Sequence, residues 1–113
     1  MTLPRADAAV IERAKLVDYL LSPVHPVGRF KARFFSRLGF VADRWTEFEA
    51  ALRAQHLSQD AEPGRTEPHG QLFTIRAILT GPAGESAVVL SVWFLPAGSS
   101  QPRFVTAYPG GAK

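Results

Sequence analysis

Cysteine is absent from all 113 residues, which excludes disulfides, thiolate nucleophiles and cysteine metal sites. That absence fits a reducing compartment, and the expected location is the cytoplasm. No apolar run approaches the roughly 18 residues that a membrane-spanning helix needs. The opening Met1-Thr2-Leu3-Pro4-Arg5-Ala6-Asp7 also lacks the hydrophobic stretch of a secretory signal. Neither segment points to a membrane partner. Histidine is scarce: three residues without a His-x-x-x-His spacing make a poor zinc set. There is no P-loop and no Gly-x-Gly-x-x-Gly, so neither a metal nor a nucleotide cofactor is expected.

What is present is an ordinary globular composition, 46% apolar with a net charge of +3. The length suits one domain over residues 1–113 with one hydrophobic core. Carboxylates are missing where positive charge is densest. Between Arg29 and Arg37 stand Arg29, Lys31, Arg33 and Arg37, with no acid among them. A local field of this kind attracts phosphate more strongly than the net charge implies.

The apolar spacing predicts an α+β fold, with about three helices packed on a C-terminal antiparallel meander of three to four strands. Ala9-Val10-Ile11 reads as a short edge strand. The helical half spans about 12–56. Leu16, Tyr19 and Leu20 mark the first helix, which Pro23 and Pro26 stop. A second helix runs from Gly28 to about Leu38, with Phe30, Phe34, Phe35 and Leu38 as its apolar arc and Gly39 as its C-terminal cap. Arg29, Arg33 and Arg37 fall in a separate stripe at i, i+4, i+8. Lys31 projects inside the apolar arc, where it must snorkel outward or meet a partner in a cleft. The third helix runs from Asp43, as N-cap, to about Gln55, with Trp45, Phe48 and Leu52 buried. His56, beyond its end, reads as a packing histidine.

Residues 57–69 are polar and carry two prolines and a glycine, which predicts a mobile loop. The β half covers 70–109. A four-residue turn at 81–84 would place Arg76 opposite Val89, Thr74 opposite Ser91 and Leu72 opposite Trp93. Val88, Leu90, Val92 and Phe94 would then face the helices. The last strand has two registers, one bringing Thr106 and Tyr108 beside Ser91 and Arg76, the other bringing Arg103 there instead. Trp93 is expected to pack, with base stacking as its alternative role.

Three stretches carry a resemblance: Tyr19-Leu20-Leu21, the segment His25 to Phe35 (His-Pro-x-Gly-Arg-x-Lys-Ala-x-Phe-Phe), and Pro102 to Pro109 (Pro-Arg-x-Val-Thr-Ala-Tyr-Pro). With the Gly84-to-Trp93 strand, they resemble a family of bacterial domains of unknown function over most of the chain. At the level of fold, helices followed by a meander ending in Val-Thr-Ala-Tyr are similar to the barnase, EndoU, colicin D and RelE-like toxin ribonucleases. The resemblance implies metal-free cleavage of RNA, in which the 2′-hydroxyl attacks the adjacent phosphate. His25 would be the acid or base. Lys31 and Arg76 would stabilise charge, and Thr106 or Ser91 would orient the phosphate. Arg29, Arg33, Arg37, Ser91, Trp93, Arg103 and Tyr108 are the expected RNA or phosphate contacts. The alternative is a non-catalytic binding module whose basic stripe is covered by a small acidic companion of antitoxin or immunity type.

Overall fold

The computed structural model describes residues 1–110. Helix α1 is an α-helical turn, Arg13–Lys15, continued by a π-helical turn, Leu16–Leu20. Helix α2 is Gly28–Arg37, and α3 is Trp45–Ala51 continued by a π-helical turn, Leu52–His56. Four strands follow, β1 (Glu62–Glu67), β2 (Gly70–Thr80), β3 (Ser86–Pro96) and β4 (Arg103–Pro109), all antiparallel in the order β1-β2-β3-β4. The helices-then-meander arrangement is the α+β fold that the apolar spacing predicts. Among the described residues no helix is long and apolar enough to cross a membrane.

One core joins the helices to one face of the sheet. Phe35, Phe40 and Phe48 meet edge to face with centroids 5.0 Å apart in each of the pairs Phe35–Phe48 and Phe40–Phe48. Leu16, Leu20 and Leu52 pack with them, and Ile75, Leu79, Val89 and Trp93 close the core from the sheet. Gly39 ends α2 as expected. Its φ of +98° carries a double capping turn in which Gly39 N–H donates to Ser36 and Phe40 N–H to Phe35, both at 3.0 Å.

The expected faces of β3 and α2, and the expected cap of α3, need correction. The β2–β3 turn holds five residues, with Gly81 N–H donating to the Glu85 carbonyl at 3.0 Å. Thr80 therefore pairs with Ser86, Arg76 with Leu90 and Ile75 with Ser91. One residue in a turn inverts every side chain of β3. Ser91 and Trp93 thus enter the core, while Val88, Leu90, Val92 and Phe94 face away from it.

On α2 the buried side is Gly28, Ala32 and Phe35, spaced i, i+4, i+7. Phe30 lies off that side, exposed, beneath the Arg29 guanidinium. Asp43 does not cap α3; it lies within a 3₁₀ turn, Ala42–Arg44, and makes no capping bond.

Residues 57–69 are not simply a loop, because β1 forms there as an edge strand. It pairs with β2 around an irregularity between Pro63 and Thr66. A sheet edge is where a strand can carry proline. The expected strand Ala9–Ile11 reduces to one parallel bridge, between Val10 and Arg103.

Candidate functional site

The site begins with a bulge. Thr106 pairs with Val92 and Phe104 with Trp93, so Val105 is an extra residue in β4. Without it, Thr106 would follow Phe104 into the core. With it, Phe104 and Ala107 are both buried, and Thr106 turns out of the core to the other face of the sheet. The same bulge removes the choice between registers. Arg103 pairs with Phe94 and Tyr108 with Leu90, so Arg103, Thr106 and Tyr108 share the face that carries Arg76.

Two helices bring partners to Thr106. Lys31, on α2, donates from Nζ to Tyr19 Oη at 2.6 Å and to Thr106 Oγ1 at 3.3 Å. Tyr19 Oη and Thr106 Oγ1 are themselves 3.2 Å apart. The ammonium also lies 5.2 Å from the Tyr19 ring centroid and 5.9 Å from that of Tyr108. Lys31 therefore meets hydroxyl partners at the seam between the helices and β4 rather than snorkelling away. Among the described residues no carboxylate forms an ion pair with it. A half-buried ammonium held only by hydroxyl groups keeps its attraction for an incoming anion.

Tyr19 is the residue that sequence reasoning missed. Its helical spacing with Leu16 and Leu20 marked it only as core. Its ring is part of the core margin, while its oxygen reaches Lys31 and Thr106. Burial raises its pKa, but the hydrogen bonds from Lys31 and with Thr106, together with the Lys31 and Lys15 charges, outweigh burial and lower it below the ordinary phenol value. Gly28 makes the approach possible. A Cβ there would run into the Tyr19 carbonyl, so a larger residue would push α2 off α1.

His25 packs edge-on against the Tyr19 ring at 5.1 Å. Its Nδ1 accepts from the backbone N–H groups of Val27, at 3.0 Å, and Gly28, at 2.9 Å, so the ring proton resides on Nε2. The histidine thus caps the start of α2, and only Nε2 is left to face a ligand. An open groove of about 410 Å³ lies beside it, lined by Glu12, Ala14, Lys15, Tyr19, His25 and Val27.

The remaining candidates divide. Arg29, Arg33 and Arg37 are exposed along α2, and Arg29 and Arg33 line a hollow with Pro23 and Ser36. Arg76 is exposed and donates from Nε to the Gly110 carbonyl at 3.1 Å. Arg103 lies 3.6 Å from Glu12. Ser91 and Trp93 leave the candidate set because both are fully buried. Ser91 Oγ accepts from Trp93 Nε1 at 2.9 Å and lies 2.7 Å from His56 Nδ1, while His56 Nε2 lies 3.2 Å from the Ala77 carbonyl. That network belongs to the core. Among the described residues no three His, Asp or Glu side chains converge as a metal site.

Residues 2–111 match the family model described as domain of unknown function DUF6883. The chain belongs to that family. No curated protein gives a significant match to this DUF6883 domain. Among solved structures it is similar to a chain of a contact-dependent growth inhibition toxin–immunity protein complex from Klebsiella pneumoniae 342. The TM-score is 0.62 at 21% identity, covering 97% of this chain and 100% of that one. At that identity the likeness is one of fold.

Proposed function

We propose that this DUF6883 domain is a small metal-independent endoribonuclease of toxin type, acting in the cytoplasm. The observation that carries the reading is the Lys31 ammonium, half-buried, held by Tyr19 and Thr106 and, among the described residues, without a carboxylate partner. A phosphodiester supplies the missing anion. Lys31 then neutralises the charge that grows on the phosphoryl oxygens as the 2′-oxygen attacks. Thr106 orients one of those oxygens. Tyr19, biased toward ionisation by the same lysine, accepts the 2′-hydroxyl proton. The new bond joins the 2′-oxygen to phosphorus and closes a 2′,3′-cyclic phosphate. The bond to the 5′-oxygen breaks, and that oxygen takes a proton from water while His25 Nε2–H donates a hydrogen bond to it. Arg76 and Tyr108, on the same sheet face, hold the flanking chain.

The structural neighbour comes from a toxin–immunity complex, which supports a companion protein for this domain as well. An acidic immunity-type partner would complement Arg29, Arg33 and Arg37, and a purely binding role for the domain remains the second reading on the strength of that stripe. The two are separated by incubating RNA with wild type, Lys31→Ala and Tyr19→Phe in the presence of chelator. Cleavage by wild type is expected to fall by about two to four orders of magnitude in each variant, with 2′,3′-cyclic phosphate ends on the products. Intact RNA at high wild-type concentration would leave only the binding role.

A further inference from the structure

The outward side of α2 and the loop before it carry more apolar surface than solvation asks for. Val24, Val27 and Phe30 are 81%, 57% and 58% exposed, three of the seven large apolar side chains exposed among the described residues. At about 100° per residue Phe30 falls on the side of α2 opposite Gly28, Ala32 and Phe35, next to the stripe of Arg29, Arg33 and Arg37. The Arg29 guanidinium lies 4.5 Å from its ring centroid. The backbone leading into the helix has its donors bound internally. Ser22 Oγ accepts from the N–H groups of Val24, at 3.3 Å, and His25, at 3.1 Å. His25 accepts those of Val27 and Gly28 at Nδ1 and that of Arg29 at its carbonyl. Pro23 and Pro26 have no N–H to satisfy. Water serves a free N–H in an ordinary surface loop, whereas a loop that enters an apolar boundary must bring its own acceptors.

We infer that this face rests on an anionic membrane surface, with Val24, Val27 and Phe30 in the acyl boundary and Arg29, Arg33 and Arg37 among the lipid phosphates. Interfacial binding draws on buried apolar area and on attraction to anionic lipid together, and both are offered here side by side. Among the described residues the three arginines form no ion pair with a carboxylate, so their charge is free for headgroups. Arg29 and Arg33 line a hollow of about 280 Å³ with Pro23, Ala32 and Ser36, where two guanidinium groups can meet one headgroup phosphate. RNA accounts for the arginines alone, because Val24 and Val27 have no flat surface for a base. An acidic protein would engage the arginines as well, yet a fluid acyl boundary takes three separate apolar side chains without needing a matching surface. With ten residues, α2 is too short to cross the membrane, and the contact lies on the surface.

The inference stands apart from the nuclease reading, and vesicles test it without RNA. The protein is sedimented with vesicles of phosphatidylcholine, alone or with about one third phosphatidylglycerol. Wild type should partition onto the anionic vesicles about tenfold or more tightly than onto the neutral ones, and about 0.5 M salt should remove most of that difference. Val24→Ser combined with Phe30→Ser should weaken anionic binding about tenfold or more while the charge stays the same. Arg29→Ala, Arg33→Ala and Arg37→Ala combined should lose about fivefold per arginine. Phe30→Trp should be quenched by brominated acyl chains beyond the background of Trp45 and Trp93. Thermal melts establish that each variant is folded. Failure of wild type to bind anionic vesicles at low salt overturns the inference and leaves the face to an acidic companion. Binding that survives the double serine change, or a residue-30 tryptophan that the brominated chains do not reach, shows adsorption by charge alone and overturns it equally. None of these results bears on RNA cleavage, which is read in the absence of lipid.

Discussion

His56 shows what a titratable side chain does when it is used for structure. It is fully buried at the end of α3, facing Ser91, Trp93 and the Ala77 carbonyl, none of which is charged. The network closes without remainder when Nε2 donates to Ala77, Nδ1 accepts from Ser91, and Ser91 accepts from Trp93. Only the neutral ring fits. Desolvation, partly opposed by the Ala77 carbonyl, accordingly lowers its pKa below the ordinary histidine value. The unfolded chain binds the proton first as pH falls. The contribution to stability is therefore complete above about pH 6.5 and shrinks below it, by up to about 1.4 kcal/mol per pH unit, until the folded ring is also protonated. Urea unfolding of wild type at pH 7.5 and 5.5 should show this loss, and His56→Gln should flatten it while lowering stability at the higher pH by roughly 1–3 kcal/mol. An equal pH dependence in the variant would assign the effect to other groups. Tyr19 is the opposite case, a partly exposed group whose pKa is lowered by a neighbour that a substrate would also meet.

At the scale of elements, α2 divides its sides among three tasks. Gly28, Ala32 and Phe35 anchor it in the core, Lys31 reaches the β4 edge, and the arginines face solvent. Its C-terminal end also docks the β2–β3 turn, since the Leu38 carbonyl accepts from Ala83 N–H at 3.3 Å. Gly39→Ala should cost about 1–2 kcal/mol for the left-handed backbone, and more because its methyl would press on the Ala83 amide. Thermal melts check this. A cost of only about 1–2 kcal/mol would mean that the turn moves away, and a change under about 0.5 kcal/mol would mean that the backbone at residue 39 relaxes as well. Helical periodicity carried most of this element legibly, since Lys31 departs from the arginine stripe by angle alone. The sheet was legible only in its strands. No composition signal distinguishes a turn of four residues from one of five at Gly-Pro-Ala-Gly-Glu, and that single residue decides whether Ser91 and Trp93 meet substrate or core. The bulge at Val105 is equally silent in sequence, yet it turns Thr106 out of the core toward Lys31. β1 escaped notice because its residues are exposed on both faces, which leaves no alternation to read.

Across the whole molecule, the proposed RNA binding would divide by charge and shape into two parts that salt can separate. Lys31 stands among hydroxyl groups, whereas the α2 surface carries Arg29, Arg33 and Arg37, which among the described residues form no ion pair with a carboxylate. Each exposed arginine that neutralises an RNA phosphate releases counterions, which adds about 0.7 to the slope of log affinity against log salt for a single strand. Replacing all three by alanine should lower that slope by about 2, with little change in fold because none of them is buried. Lys31→Ala should lower it by less than about one while the proposed cleavage falls by about two to four orders of magnitude. A deoxy-substituted oligonucleotide, which cannot be cut for want of the 2′-hydroxyl, allows both measurements between about 50 and 200 mM salt, a range over which a slope of about 2 changes affinity roughly twentyfold. A slope that survives loss of the stripe would mean that the three arginines do not track the RNA backbone. They would then be free for an acidic companion, and the same triple variant should lose its affinity for that protein while cleaving RNA at the wild-type rate.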